Sequence, residues 1–369
     1  MAFSYIPKLF GELCEILSAG HFMIFPRYRR TMTARCYCFV LVAHRADMIT
    51  EIAKSPTLDG IRAAAERLAE HIVQTPLLPL HMQGGPDNVF LKLENLQPVG
   101  AFKVRCMGNT MLTADKDDLR HGVYTASSGN AGLGLAWMAN KLGVSARVYA
   151  PDTAPEGKLE AMRRFGAEIR LLTFDDWWKI IVNSCHPTDP GFYVDAVRSP
   201  SAMAGNGTIG LEIAEQLSDV DRVIVPFGGG GVACGIAAAM RALKPDVKLI
   251  IAESDAATPV TAALEAGRPV PVTVKPSFIS GAGAPSVLEE MWPLVSQLVD
   301  GTVVSSVTEV ADAVRLLLEQ NRVVAEGAGA IALAAALSGE GGTGKTVCVV
   351  TGGNIDRSVL SKILNRQLV

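Results

Sequence analysis

The sequence predicts an α/β protein of two domains, each a mostly parallel sheet flanked by helices. Three observations carry this. Short β-branched runs alternate with longer runs of helical spacing, the rhythm of βαβ units and hence of parallel sheets. At 369 residues the chain exceeds what one hydrophobic core usually holds, so two domains are expected. The 35 glycines suit a fold with many strand-to-helix turns, where the backbone turns tightly or approaches another group closely.

The elements follow in order. Residues 1–47 stand apart: they hold Arg27, Arg29, Arg30, Arg35 and Arg45 and three of the seven cysteines, with little turn punctuation. They lack a clean apolar core with a small-residue cleavage site, so they read as a poorly ordered extension, or the product of an over-early start codon, without chemistry. From Met48 the pattern changes. Thr57 is placed to cap a helix through Leu58, Ile61, Ala64, Ala65, Leu68 and Ile72. Asn88–Glu94 reads as a strand. Strand and helix patterns then alternate at 122–125, 131–142, 146–150, 155–165 and 168–172, a smaller unit of about 120–198. Around Ser199-Pro200 the chain leaves that unit. Ala204–Ile209 begins a second set with strands at 222–226, 248–253 and 346–350, so 48–119 and 199–369 make the larger unit. Val307–Leu318 is amphipathic, with Asp312 and Arg315 on its polar side. Thirteen residues follow Asp356, so no regulatory domain is expected after the catalytic one.

Composition narrows the function. A net charge of −3 gives no reason to expect nucleic acid or an anionic membrane as partner. No apolar run reaches the length of a membrane span. The seven cysteines are odd in number and lack zinc-like spacing, as do the six histidines. Reduced thiols in a cytoplasmic protein are expected.

The chemistry centres on Pro98–Asn109, where Lys103 sits between Phe102 and Val104 at the start of a helix-like run. Apolar neighbours disfavour the charged amine, which frees it for Schiff-base chemistry; the ordinary alternative is a helix-start lysine facing water. Three later segments bear on the choice. Thr125-Ala-Ser-Ser-Gly-Asn-Ala-Gly132 joins a strand to an apolar helix. Pro226-Phe-Gly-Gly-Gly-Gly-Val232 does the same, and its four glycines let the backbone approach an anion at a helix N-terminus. The alternative there is a turn packed for sheet closure. Thr351-Gly-Gly-Asn-Ile-Asp356 follows the last strand.

Lys103 and these three segments, in this order, resemble the pyridoxal-phosphate enzymes of the tryptophan synthase β-like fold (fold type II). In particular they resemble the threonine/serine dehydratase and serine racemase family, from about Ile72 to Asp356. The resemblance implies pyridoxal 5'-phosphate as a Schiff base on Lys103, beside Phe102. It assigns Gly228, Gly229, Gly230 and Gly231 to the phosphate, Asn130 to the 3-hydroxyl, Thr351 to the ring nitrogen and Glu326 to the ring's surroundings. Ser127, Ser128, Gly129 and Asn130 would hold an amino-acid carboxylate. A neutral hydroxyl at Thr351 would not keep the ring protonated, which suits β-elimination over transamination.

The implied activity is dehydration and deamination of L-threonine and/or L-serine to 2-oxobutyrate or pyruvate and ammonia, by a homodimer. An amino-acid racemase on the same site, with Ser128 as second acid/base, is the alternative. The racemases' arginine near the substrate carboxylate is absent, with Trp178-Lys179 in its neighbourhood, and Ala131 replaces a histidine common in relatives. The family's divalent-cation site begins at a glutamate matching Glu253, but Pro259 stands where a second acid belongs, so no metal is expected. A remote alternative is a nucleotide-binding protein using Gly339–Thr346, which matches the P-loop pattern. That loop follows a helix-like run and precedes a strand, the reverse of the P-loop order, and reads as a surface loop.

Overall fold

The computed structural model describes residues 54–340 and 342–367, and these form one compact unit with two sheets. The segment 1–47 and the boundary at Met48 lie outside the described residues.

The larger sheet has six strands: β1 (Leu77–Pro79), β2 (Val89–Lys92), β7 (Arg222–Pro226), β8 (Lys248–Ser254), β9 (Gly301–Ser305) and β10 (Thr346–Val349). The smaller has four: β3 (Val123–Ala126), β4 (Ala146–Pro151), β5 (Glu168–Leu172) and β6 (Phe192–Tyr193). Their spatial orders are β1-β2-β10-β7-β8-β9 and β5-β4-β3-β6. Every pairing is parallel except β1 with β2. Strands β7 and β10 show why: Val223, Ile224, Val225, Val347, Cys348 and Val349 are all fully buried, as strands covered on both faces must be.

One helix shapes the larger sheet's core. Gly327–Leu337 is apolar all round and buried from Gly327 to Ala335, and it packs against β7, β8, β9 and β10. Its small residues let it come close: a Cβ on Gly329 would lie 2.2 Å from the Gly352 carbonyl oxygen. Helix Pro200–Gln216 begins with Ser199 as its cap and Pro200 in the first turn, and carries the chain from the smaller sheet back to the larger.

The helix capped by Thr57, whose hydroxyl accepts from Gly60 N at 3.1 Å, ends at Leu68, short of Ile72. Strands β6 and β9 and helices such as Phe174–Asn183 were not foreseen. Two residues in β6 are too few to show a period. The Gly339–Thr346 loop lies between helix Gly327–Leu337 and β10, in the non-P-loop order.

Candidate active site

The candidate residues except Glu326, which lies between two helices, follow the carboxyl ends of parallel strands, where open α/β sheets place ligands. The stretch bearing Lys103 follows β2, Thr351 follows β10, and Gly228–Gly231 follow β7. These three strands are neighbours in the sheet. Ser127–Asn130 follow β3, an interior strand of the smaller sheet.

Lys103 opens helix Lys103–Thr113, with its Nζ 4.8 Å from the Phe102 ring centroid. Its approach is zipped to the last loop of the site. Phe102 N donates to Thr351 O at 3.0 Å, Gly353 N donates to Gly100 O at 2.9 Å, and Ala101 bridges to Gly352. Gly100 takes a left-handed φ of 71°, and a Cβ there would sit 2.9 Å from Asn354 Oδ1.

The other face of the same helix carries a network that local pattern did not reveal. Arg105 is fully buried. It forks onto Glu94 through Nε to Oε2 at 2.7 Å and Nη2 to Oε1 at 2.8 Å, and its Nη1 donates to Thr208 at 2.8 Å and Glu212 at 2.6 Å. Lys92 donates to Glu212, to Thr75 O at 2.7 Å and to Gln216 at 2.9 Å. Burial alone would raise the Glu94 carboxyl; the Arg105 guanidinium overcomes it and holds Glu94 below the ordinary range. Glu94 and Arg105 thus clasp the two ends of the stretch containing Lys103. The available signal was a pair of charges, Lys92 at the end of an otherwise apolar strand and Glu94 in the turn just after it.

Across from Lys103, Asn130 starts helix Asn130–Leu142. Its amide donates to Glu326 Oε1 at 2.6 Å and accepts from Asn354 Nδ2 at 2.8 Å. Glu326 occupies a helix N-cap position but makes no capping bond. Burial pushes its carboxyl up, against the Asn130 hydrogen bond and the charge of Lys158. Gly352 lies beneath: a Cβ there would be 2.5 Å from Glu326 Oε1 and 3.1 Å from Asn130 Nδ2. Asn354 was within a segment the sequence marked, yet its partnership with Asn130 was not legible.

Ser127 Oγ accepts from Gly129 N at 3.1 Å, and a Cβ on Gly129 would meet nothing within 4 Å, so no neighbour packs against the turn there. Ser128 lies half-buried in the same turn. Thr351 is buried, with its hydroxyl donating to Ala328 O at 3.2 Å. Gly228–Gly231 lead into helix Gly231–Leu243, whose first-turn amides have no acceptor within the helix. One side of this turn is packed, since a Cβ on Gly228 would lie 2.6 Å from Gly281 O. Gly230 has a left-handed φ of 94°. Lys158 Nζ reaches Ser280, beside Gly281, at 3.3 Å.

Trp178 and Lys179 lie on helix Phe174–Asn183, where the Trp178 ring stacks against Phe174 and Lys179 pairs with Asp176. Glu253 is buried at the end of β8. Its oxygens accept from Val260 N at 2.7 Å, Thr261 N at 2.9 Å and Thr261 Oγ1 at 2.6 Å, at the start of helix Pro259–Ala266. Among the described residues no group of three or more His, Cys, Asp or Glu is placed to hold a metal.

The site is therefore that of an α/β enzyme: a lysine, a buried neutral hydroxyl and a glycine turn at the ends of adjacent strands, faced by a side-chain amide. These donors fit pyridoxal phosphate, which needs an amine, an anion cradle and polar contacts to its ring. The comparisons agree. The model of the family described as pyridoxal-phosphate dependent enzyme matches residues 68–352. An L-threonine ammonia-lyase of Geobacter sulfurreducens is 38% identical over 317 residues, 84% of this chain and 78% of that one. A catabolic L-threonine dehydratase of Escherichia coli is 34% identical over 314 residues, 83% and 95% of the two chains. The solved structure of maize serine racemase has a TM-score of 0.77 at 29% identity, covering 85% of this chain and 98% of that one. The chain belongs to the pyridoxal-phosphate dependent enzyme family and has its two-sheet, tryptophan synthase β-like fold.

Proposed function

We propose that this enzyme dehydrates and deaminates L-threonine and/or L-serine, releasing 2-oxobutyrate or pyruvate and ammonia. One observation carries the reading. The lysine, hydroxyl and glycine turn converge at adjacent strand ends in a chain 38% identical to an L-threonine ammonia-lyase.

Lys103 would carry the cofactor, with Phe102 beside it, Gly228–Gly231 around the phosphate, Asn130 at the 3-oxygen, Thr351 at the ring nitrogen and Glu326 near the ring. When bound, pyridoxal phosphate supplies an electron sink for the charge left on the substrate's Cα. The turn Ser127-Ser128-Gly129-Asn130 holds the substrate carboxylate at the open helix N-terminus. That fixes the Cα–H bond toward Lys103, whose Nζ takes the proton in an effectively intramolecular step. The β-hydroxyl then takes up a proton and leaves as water. Hydrolysis of the released enamine returns that water and gives the 2-oxo acid and ammonia. Thr351 suits this course because a neutral hydroxyl adds no charge that would hold the ring protonated.

The same proposal takes 120–198, which holds all four strands of the smaller sheet, as a small domain inserted in the large one. It also takes the enzyme as a cytoplasmic homodimer. Buried Cys106, Cys234 and Cys348 are free thiols, and no helix among the described residues is long and apolar enough to cross a membrane.

A second reading, amino-acid racemisation with Ser128 as the opposite-face acid, is favoured by the likeness to maize serine racemase. A panel of L- and D-β-hydroxy amino acids with added cofactor separates the two. Rapid 2-oxo acid release from L-threonine or L-serine supports the lyase; loss of optical rotation without oxo acid refutes it in favour of the racemase. Lys103→Ala should abolish turnover, and retained activity would sink the assignment of Lys103.

A further inference from the structure

Asn130 presents an ambiguity that matters for its work. A primary amide has a donor end and an acceptor end of nearly the same shape, and either can face a ligand. In this enzyme the choice is made elsewhere. Asn354 Nδ2 lies 2.8 Å from Val99 O and 2.8 Å from Asn130 Oδ1. A backbone carbonyl can only accept, so Val99 fixes the donor end of Asn354. Both hydrogens of that donor are then spent, one on Val99 and one on Asn130. Asn130 must therefore turn its oxygen to Asn354 and its NH2 to Glu326, 2.6 Å away. Glu326 accepts on Oε1, so any proton its carboxyl holds resides on Oε2. One hydrogen of the Asn130 amide is left over.

We propose that Asn354 is a positioning residue: it sets the orientation of the Asn130 amide so that a donor faces the cofactor's ring oxygen. The inference rests on the reading above that Asn130 serves that oxygen. The relay starts at Val99 in the Lys103 stretch, so the residue bearing the amine and the residue contacting the ring are aligned by one chain of bonds. The space is reserved for it, since a Cβ on Gly100 would lie 2.9 Å from Asn354 Oδ1.

A double-mutant cycle tests this, with two readouts: the dissociation constant of pyridoxal phosphate and the thermal midpoint of the apoenzyme. Asn354→Ala should weaken cofactor binding about 5–10-fold, as one hydrogen bond does. In an Asn130→Ala background the same substitution should change it less than about 2-fold, because no amide remains to orient. An equal loss in both backgrounds would overturn the proposal, since a purely structural role of Asn354 does not depend on Asn130.

A second comparison stands if Asn130→Ala fails to fold. Asn354→Asp cannot donate and pulls the Asn130 NH2 away from Glu326, so at pH 8 it should bind the cofactor more weakly than Asn354→Ala. Equal or milder loss would overturn the proposal. Both readouts survive failure of the lyase reading: cofactor binding without oxo acid release refutes that reading and leaves the cycle intact.

Discussion

Glu94→Gln isolates the clasp beneath Lys103. The buried network balances Lys92 and Arg105 against Glu94 and Glu212, with side-chain exposures of 0% for the first three and 12% for Glu212. Glutamine keeps the volume but removes one of two negative charges, and it turns an NH2 toward a guanidinium that needs an acceptor. Thr75 Oγ1, which donates to Glu94 Oε1 at 2.6 Å, loses a strong acceptor as well. Removing one member of a buried ion pair costs about 3–5 kcal/mol. At about 2 °C per kcal/mol for a chain of this size, the thermal midpoint at pH 7.5 should fall by roughly 6–10 °C.

The pH dependence has a definite sign. Glu94's carboxyl is held below its ordinary range, so its contribution is fully present above the unfolded value of about 4.3 and is lost as pH falls through the lower folded value. The gap between wild type and variant should stay constant from pH 6 to 8 and close only under strongly acidic conditions. Adding Arg105→Met removes the stranded positive charge and should recover part of the midpoint. Calorimetric scans of the wild type and the two variants decide it. A shift under about 2 °C for Glu94→Gln would refute the claim that this network holds the Lys103 stretch.

Four further outcomes are expected. Gly228→Ala places a Cβ 2.6 Å from Gly281 O, so the glycine turn must shift, and equilibrium dialysis should show pyridoxal phosphate binding weakened by about tenfold or more. Glu253→Ala removes three hydrogen bonds at the start of helix Pro259–Ala266 and should lower stability by about 2 kcal/mol in urea titration. Because that carboxylate is already engaged, chelator treatment of the wild type should leave activity and midpoint unchanged. Glu326→Gln keeps an acceptor for Asn130 while removing a carboxylate that burial disfavours. Stability of the wild type falls as pH rises from the unfolded value toward Glu326's raised one, so near pH 7 the variant apoenzyme should melt about 2 °C higher.

Legibility in the sequence followed distance along the chain. The parallel sheets were readable because each strand and its following helix are local patterns, and β5 appears at the expected residues, 168–172. The glycine turn and Lys103 were readable because each sits in one short segment. What was hidden depends on partners far apart: Asn130 and Glu326 are separated by 196 positions, Asn130 and Asn354 by 224, and Lys92 and Glu212 by 120. No period or cap signal encodes such pairs. Glu326 shows the limit well. It stands at a helix start, where an acid usually caps, yet its side chain turns away to Asn130.

The strand order explains why the site needs nearly the whole chain. In space β10 lies between β2 and β7, although it is the last strand in sequence. Its insertion sets Thr346–Val349 against Val89–Lys92 on one side and Thr346–Cys348 against Arg222–Ile224 on the other. Only then do Thr351, Gly352 and Asn354 come beside Lys103. Without β10 the edges of β2 and β7 would face each other with unpaired backbone groups, and Asn130 would lose the partner that orients it. The setting of Lys103, early in the chain, is thus conditional on a strand laid down almost 250 residues later, a separation that makes this pairing one of the entropically costliest closures in the fold.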